Sequence, residues 1–114
     1  MEIELRWPPS LNSYLAIVGR RKVKTKKARD YCKAVEFALI DQRVCSFGDQ
    51  RLSVEIEAFP PDRRKRDVDN LFKSLLDSLK LAGVYEDDSQ IDFLSIKRMQ
   101  VYKGGKVCLR ISEL

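Results

Sequence analysis

Histidine is absent from this 114-residue sequence, and its absence excludes several kinds of chemistry. Without an imidazole, the chain has no histidine metal ligand, no Ser-His-Asp triad and no histidine general base. Cysteine is scarce as well, because Cys32, Cys45 and Cys108 are odd in number and show no C-x-x-C spacing. We therefore expect neither a zinc site nor a disulfide scaffold, and the cysteines are typical of small buried side chains in a reducing cytoplasm.

Long apolar runs are missing too. No stretch approaches the roughly 20 apolar residues that span a bilayer, so we expect no membrane partner. The first six residues alternate polar and apolar side chains and lack the basic start and apolar run of a signal peptide. Hydrophobic residues nevertheless make up 44% of the chain and are spread along it, which predicts one folded domain over residues 1–114.

Hydrophobic periodicity predicts two helices and four strands. Alternation of polar and apolar residues predicts strands, and apolar steps of three and four predict helices. The strands are expected at 2–6, 51–59, 91–102 and 106–111, and the helices at 26–44 and 68–82. The order β-α-β-α-β-β predicts an α+β domain with two helices packed on a mixed β-sheet. Residues 10–26 are expected to be irregular, and Lys103-Gly104-Gly105 predicts a hairpin between the last two strands.

The start of the second helix carries the most informative residues. Four cations at 63–66 lead directly into Asp67 and Asp69. Two structural alternatives exist: Asp67 caps the helix, and Asp69 forms an i,i+4 ion pair with Lys73 worth ~0.2–0.5 kcal/mol. In a continuous helix the two carboxylates point about 200° apart and cannot share an ion. A helix that begins only after Asp67 leaves that side chain on the incoming loop, where both carboxylates can contribute to one site.

A third acidic group, Glu86-Asp87-Asp88, follows the same helix, with a solvated loop as the alternative interpretation. A helix of about 15 residues spans ~22 Å, so this group meets Asp67 and Asp69 only if the chain runs back along the helix. The sequence alone leaves this question open. If three carboxylates converge, their oxygen ligands suit Mg²⁺ or Mn²⁺, which activates water at a phosphodiester. Lys73 would then place its ammonium on the phosphate or the leaving oxygen.

Basic residues are concentrated in a second segment. Residues 20–33 contain eight cations and one acid, and the whole chain has a net charge of +5. A solvated face is the alternative, but nucleic acid is the commonest partner of such a tract. The arginines at 63–66 would hold flanking phosphates, because a guanidinium fork matches phosphate geometry.

Three blocks of the sequence resemble one known family. They are W-P-P-S-x-N at 7–12, P-D-R-R-K-R-D-V-D-N-L-x-K at 61–73 and A-G-V-Y-x-D-D-S-Q-I at 82–91. In this order they resemble the RusA family of Holliday-junction resolvases, and the second and third blocks together are specific. The chain departs from the family pattern within 10–27, where Leu11 and residues 16–18 are more apolar than the family pattern.

The resemblance implies a homodimeric, magnesium-dependent endonuclease that nicks two strands of a four-way DNA junction symmetrically. Mn²⁺ is a possible substitute for Mg²⁺, no organic cofactor is expected, and the location is the cytoplasm of a bacterium or a phage-infected cell. By the same resemblance, Asp67, Asp69 and Asp88 bind the metal and are catalytic, Lys73 is catalytic, and Asp87 is the neighbour that can exchange with Asp88. The resemblance also implies that residues 87–88 reach the first two aspartates.

The residues expected to contact DNA are Ser10, Asn12, Arg20, Arg21, Lys22, Arg63, Arg64, Lys65, Arg66 and Asn70.

Two other functions stay open. One is a metal-dependent nuclease that acts on other branched or flap DNA. The other is a basic, non-catalytic DNA-binding module whose acids only cap helices. Such a module needs no Mg²⁺ and tolerates Asp67→Asn, whereas an enzyme of the kind described does not.

Overall fold

A computed structural model describes the backbone of residues 1–114 and all side chains except those of Leu11 and Asn12. The elements in chain order are β1 (Glu2–Arg6), α1 (Leu11–Tyr14), β2 (Leu15–Val18), β3 (Arg21–Lys24), α2 (Lys26–Asp41), β4 (Leu52–Phe59), α3 (Phe72–Leu81), β5 (Ile91–Arg98) and β6 (Lys106–Glu113). Short 3-10 helices at Val68–Leu71 and Asp88–Gln90 precede α3 and β5. None of the helices in the described part of the chain has the length and apolar character needed to span a bilayer.

The main sheet has four strands in the order β1-β6-β4-β5, and β2 and β3 form a separate two-stranded sheet. Only β4 and β5 are parallel, so the sheet is mixed and the predicted α+β class is confirmed. The central strand β4 alternates buried and exposed residues because α2 and α3 cover one face of the sheet. Its buried side chains are Leu52, Val54, Ile56 and Ala58, whereas Glu55 and Glu57 are exposed on the other face.

A tight turn cannot join parallel strands, so the chain must run back along the length of the sheet between the neighbouring strands β4 and β5. Helix α3 makes this crossing, and its leucines at steps of three and four are buried as predicted: Leu71, Leu75, Leu76 and Leu79. The predicted helix 68–82 begins as a 3-10 turn and continues as α-helix to Leu81. The start of α3 therefore lies at the carboxyl ends of β4 and β5, and its end lies at the start of β5.

The predicted hairpin between the last two strands is wrong. Lys103 and Gly104 do form a turn, but β4 lies between β5 and β6 in the sheet. The cause is long-range pairing: β6 buries Val107, Leu109 and Ile111 and pairs antiparallel with both β1 and β4. The predicted strand 91–102 ends at Arg98, after which the chain turns away from β5.

Residues 10–26 are not irregular, in contrast to the sequence-based expectation. They form α1 and the antiparallel β2–β3 hairpin, whose turn contains Gly19 at a φ of +64°. This left-handed backbone conformation is one that glycine adopts without a steric penalty. The predicted helix 26–44 ends at Asp41, and Thr25 caps its start by accepting a hydrogen bond from the Ala28 amide.

The buried and exposed faces of β4 predict different effects of substitution on the free energy of unfolding. Ile56 is 2% exposed, so Ile56→Ala removes apolar contacts and leaves a cavity, and we expect a loss of about 2–5 kcal/mol in unfolding free energy. Glu57 is exposed on the opposite face, so the matched control Glu57→Ala should change it by less than about 0.5 kcal/mol. Urea unfolding followed by circular dichroism measures both. Equal effects of the two substitutions would contradict the assigned face.

Candidate active site

Asp67 lies on the loop that enters α3. Its backbone is extended, with φ −84° and ψ 126°, and the helical turn begins at Val68. The Asp67 side chain accepts no capping hydrogen bond, and among the described side chains Asp69 makes no ion pair with Lys73. Neither structural alternative considered for these residues is therefore formed. Both carboxylates are exposed at the carboxyl ends of the parallel strands, where α/β proteins commonly bind ligands.

Basic and polar side chains surround Asp67. A groove of about 680 Å³ is lined by Trp7, Ser10, Lys65, Arg66, Asp67, Asn70, Leu71 and Arg98. A second cavity of about 230 Å³ adjoins the same aspartate and includes Arg63 and Arg64 in its lining. The structure thus brings Ser10, residues 63–66, Asp67 and Asn70 together around one concave surface. Asn12, also expected to contact DNA, lies outside the described side chains.

The four cations before Asp67 do not have equal roles. The Asp62 carboxylate accepts hydrogen bonds from the Arg66 guanidinium at 2.7 Å and from the Arg64 amide at 3.0 Å. Arg66 also lies 5.8 Å from the centre of the Trp7 ring. These contacts fix the shape of the loop and occupy Arg66. Arg64 also pairs with Asp62, at 3.7 Å, but Arg63, Arg64 and Lys65 are all exposed and are the side chains best placed to contact a polyanion.

One face of α3 carries the other charged groups. Lys73 and Asp77 are four residues apart and lie on the same side of α3, and Asp69 lies four residues before Lys73 in the 3-10 turn that precedes α3. Asp77 accepts a hydrogen bond from the Tyr14 hydroxyl and an ion pair from Lys24 at 3.0 Å. Burial would raise the pKa of Asp77, but Tyr14, Lys24 and then Lys73 outweigh burial and hold that pKa below its usual range.

Asp77 anchors the basic hairpin to α3. Lys24 ends β3 and Tyr14 precedes β2, so both partners of Asp77 belong to the base of the β2–β3 hairpin. The Thr25 hydroxyl strengthens the base by donating to the Ser13 carbonyl at 2.5 Å. At the other end of the hairpin, the predicted DNA contacts Arg20, Arg21 and Lys22 are all exposed. Sequence reasoning missed Asp77, whose only signal was its position one turn after Lys73.

Asp87 and Asp88 differ in their surroundings. Asp87 forms a capping box with Gln90, accepts from the Ser89 amide at 3.0 Å and pairs with Lys80 at 2.9 Å. The hydrogen bond from Ser89, followed by Lys80, holds the pKa of Asp87 well below its usual range. Asp87 is therefore occupied by structural contacts.

Asp88 is half-buried, and its Oδ1 atom is buried without a hydrogen-bond partner among the described residues. The nearby Tyr85 hydroxyl donates to the Leu76 carbonyl at 2.6 Å. Burial, followed by the Asp88 charge, raises the pKa of Tyr85. An unsatisfied buried carboxylate oxygen is costly, and a bound cation is one way to satisfy it. Of the two neighbouring aspartates, Asp88 is thus the one suited to hold a metal.

The carboxylates do not converge within one chain. The 3-10 turn and α3 together contain 14 residues, which span roughly 23 Å. Asp69 lies in the first turn, whereas Asp87 is bound to Lys80 in the last turn. Among the described residues no group of three Asp, Glu, Cys or His side chains is close enough to hold a metal ion. The expectation that residues 87–88 reach Asp67 and Asp69 is therefore not met in a single protomer, because the crossover separates the two ends of the helix.

The Asp62 contacts predict an unusual titration. The hydrogen bond from Arg66, followed by that from the Arg64 amide, lowers the pKa of Asp62 from 3.8 to about 2. This carboxylate accordingly adds stability above its unfolded pKa, and the addition is lost as the pH falls toward 2. In Arg66→Gln the Asp62 pKa should return toward its ordinary value, whereas Arg63→Gln should leave it unchanged. Carboxyl NMR titration measures both variants, and an unmoved pKa in Arg66→Gln would refute the role of this ion pair.

Comparison with known proteins identifies the family of the chain. Residues 6–112 match the family described as Endodeoxyribonuclease RusA. Crossover junction endodeoxyribonuclease rusA of Enterobacteria phage HK97 is 38% identical over 110 residues, covering 96% of this chain and 92% of that relative. Its namesakes from Escherichia coli (strain K12) and Enterobacteria phage 82 are 34% and 33% identical over 116 residues, covering 98% of this chain and 93% of each relative. The chain belongs to the RusA family of endodeoxyribonucleases.

Proposed function

We propose that this protein is a magnesium-dependent endonuclease that resolves four-way DNA junctions by paired, symmetric nicks during recombination and repair. The observation that carries the proposal is the position of Asp67, an exposed carboxylate with no capping role, inside a groove lined by cations. The relatives are named as crossover junction endodeoxyribonucleases of phages and enteric bacteria, which supports the same substrate and a bacterial cytoplasmic location here.

Charge distribution indicates which side meets the DNA. The exposed face of the sheet carries Glu2, Glu4, Glu55 and Glu57, and two of the cations near them are engaged: Arg110 pairs with Glu2 at 3.0 Å and Lys106 with Glu4 at 3.4 Å. The exposed cations of the hairpin and of the loop before α3 lie on the helical side. Because phosphates repel carboxylates, we expect DNA to approach across α3 with the hairpin and the 63–66 loop on either side.

The donor set fits a hard divalent cation. Asp67, Asp69 and Asp88 offer only oxygen ligands, which suit Mg²⁺ and, as a substitute, Mn²⁺. When bound, such an ion polarises the phosphodiester and lowers the pKa of a water. The chain itself supplies Lys73, whose exposed ammonium, in the first turn of α3 after Asp69, contacts the phosphate or the leaving oxygen. Arg63 and Arg64 hold the flanking backbone, and the Asp62–Arg66 pair keeps their loop in place.

A complete set of three carboxylates requires two protomers in this proposal. Asp67 and Asp69 lie at one end of α3 and Asp88 lies toward the other, so one chain supplies either part of the set but not the whole. A two-fold dimer can place the Asp88 end of one chain beside the Asp67 end of its partner, and it does so twice. Two equivalent sites are what paired symmetric nicking needs.

Two alternative functions differ from the proposed one in the role of the aspartates or in the DNA substrate. A non-catalytic DNA-binding module would use its aspartates as helix caps, and the absence of a capping bond at Asp67 disfavours it. A nuclease for flaps or other branched DNA would share the same site. A panel of a four-way junction, a flap, a three-way fork and linear duplex, each with and without Mg²⁺, separates these functions, and we expect Mg²⁺-dependent nicking mainly of the four-way junction.

Neutral substitutions test the metal-binding carboxylates. Asp67→Asn, Asp69→Asn and Asp88→Asn keep side-chain shape but remove the charge that holds the cation, so junction cleavage should fall by roughly 10²-fold or more. Junction affinity in Ca²⁺ should stay constant or rise, since an anion near phosphate has been removed. Rates of nicking on a labelled junction and gel-shift affinities give the two quantities.

Asp87→Asn is the matched control for Asp88→Asn. Asp87 is engaged with Ser89 and Lys80, so its neutral variant should cut at close to the wild-type rate once folding is verified. If Asp87→Asn abolishes cleavage while Asp88→Asn does not, the two aspartates exchange roles. If all three of the other variants still cut at the wild-type rate, the proposed metal site is wrong.

Mixed dimers test whether the site is shared. When Asp67→Asn and Asp88→Asn chains are co-refolded in equal amounts, a shared arrangement leaves one intact site in each heterodimer. Half of the randomly formed dimers are mixed, and each mixed dimer retains one of its two sites. About a quarter of all sites should therefore be active, compared with all of them in the wild-type protein. The products should be single nicks. If each site is instead built within a single chain, every protomer in the mixture lacks one carboxylate and no cleavage is expected.

An inactive mixture would contradict the shared site, provided that mixed dimers are present. An inactive mixture, with mixed dimers demonstrated by differential tags, would show that Asp67 and Asp88 act within one chain after rearrangement. Mixing two batches of Asp67→Asn carrying different tags is the control and should remain inactive in both arrangements.

A further inference from the structure

The β2–β3 hairpin takes no part in the hydrophobic core. Residues 15–24 are all exposed or only partly buried, and Ile17 and Val18 near the tip are 75% and 62% exposed. β2 and β3 pair only with each other, so the main sheet does not hold them either. A two-stranded hairpin is marginally stable by itself in water, so its orientation depends on what attaches it to the rest of the fold.

The attachment lies at the base of the hairpin and is polar. The Asp77 carboxylate accepts a hydrogen bond from the Tyr14 hydroxyl and pairs with Lys24 at 3.0 Å. Tyr14 immediately precedes β2 and is 1% exposed, and Lys24 is the last residue of β3. The Thr25 amide donates to the Tyr14 carbonyl at 3.1 Å and so closes the base independently of Asp77. Asp77 therefore determines how the closed hairpin is oriented on α3, and the backbone bond determines that it is closed.

Asp77 is committed to the hairpin rather than to its own helix. A lysine and an aspartate four residues apart commonly pair on a helix surface, yet Lys73 and Asp77 form no ion pair among the described side chains. Burial, followed by the hydrogen bond to Asp77, raises the pKa of Tyr14, so its hydroxyl stays protonated and remains a donor. Hydrogen bonds to an ionised carboxylate are about twice as strong as neutral ones.

The cations of the hairpin lie far from this attachment. Arg20, Arg21 and Lys22 are exposed at and beside the turn, at the opposite end from Asp77. Strands of four residues extend about 13 Å, so a tilt of roughly 30° at the base displaces the tip by about 7 Å. A displacement of this size is enough to break a contact between a cation and a phosphate. The angle that Asp77 imposes therefore decides where these three cations lie.

We propose that Asp77 is the positioning residue of the β2–β3 hairpin, holding it at one angle to α3 so that its three cations meet the DNA on the active-site side. The inference rests on the proposed function, because it takes DNA to be what the hairpin contacts. Asp77 acts through the hairpin and contacts neither the DNA nor the metal. A loosened hairpin contributes to affinity only in the fraction of molecules that have the correct angle, so loss of Asp77 weakens binding.

The sign of the change in affinity tests this role. An aspartate that acted only through its charge would strengthen DNA binding when neutralised. A positioning role predicts the opposite: in Asp77→Asn the junction dissociation constant, measured in Ca²⁺, should rise roughly 3–10-fold. Tyr14→Phe preserves every charge and should shift the constant in the same direction. Tyr31→Phe is the matched control and should bind as the wild type does, because that buried tyrosine donates to the Arg6 carbonyl at 2.8 Å, away from the hairpin.

A double-mutant cycle shows whether Asp77 acts through the hairpin. When Arg20, Arg21 and Lys22 are all replaced by alanine, the hairpin has no tip cations to place, and Asp77→Asn should weaken binding no further. An equal loss of affinity in both backgrounds would reject the proposal. At saturating protein in Mg²⁺, Asp77→Asn should nick the junction within about twofold of the wild-type single-turnover rate. A fall in that rate with affinity unchanged would assign Asp77 to the chemical step and likewise reject the positioning role.

Backbone dynamics provide a readout that needs neither DNA nor metal. Amide order parameters from ¹⁵N NMR relaxation should be about 0.85 for residues 16–22 of the wild type and should fall below about 0.6 in Asp77→Asn and Tyr14→Phe. Tyr31→Phe should keep the wild-type values, and far-ultraviolet circular dichroism verifies that each variant is folded. Low order parameters in the wild-type hairpin, or unchanged ones in both variants, would reject the proposal. If the hairpin loosens as expected but the wild-type chain nicks no junction in Mg²⁺, the attachment by Asp77 stands and the proposed function fails.

Discussion

The parallel pairing of β4 with β5 is the constraint on which the rest of the structure depends. Parallel neighbours oblige the connecting chain to cross the length of the sheet, and α3 makes that crossing with Leu75 and Leu79 completely buried. The burial of this helix fixes the position of Asp69 at one end and of Lys80 at the other. Distances between the charged groups are thereby set by the hydrophobic core. A shift of one residue along the helix would disrupt the leucine packing before it altered the site.

Asp77 links this core to the basic hairpin of β2 and β3, part of the surface that we propose meets DNA. Its carboxylate receives the Tyr14 hydroxyl and the Lys24 ammonium, so the basic hairpin is fastened to the same helix that carries Asp69 and Lys73. Burial alone would raise the pKa of Asp77, but the neutral Tyr14 hydroxyl and the charges of Lys24 and Lys73 hold it below its usual range. On the opposite face of the sheet, Glu2 pairs with Arg110 and Glu4 pairs with Lys106. The two sides of the molecule thus differ in charge, and in the proposed function this difference orients a polyanion without any sequence-specific contact.

Sequence patterns predicted the parts of the structure that depend on neighbours in the chain. The start of the second helix, the leucine stripe of α3 and the extended position of Asp67 follow from local periodicity and from the change of pattern at residue 68. The position of β6 between β1 and β4 could not be predicted in this way, because a glycine-containing turn does not determine which strand the next strand pairs with. The β2–β3 hairpin was missed for a similar reason: Asp77, distant in sequence, holds its base. The separation of Asp88 from Asp67 required the sheet order, which only the structure supplies.

Division of a metal site between protomers would couple assembly to cutting. An isolated chain would then hold one part of the carboxylate set at each end of α3 and complete neither, so a monomer that met duplex DNA would bind it through its cations without nicking it. Pairing would complete both sites in the same step, because the symmetry that joins Asp88 to the partner's Asp67 also joins Asp67 to the partner's Asp88. Two cuts in strands related by that symmetry axis follow from one assembly event.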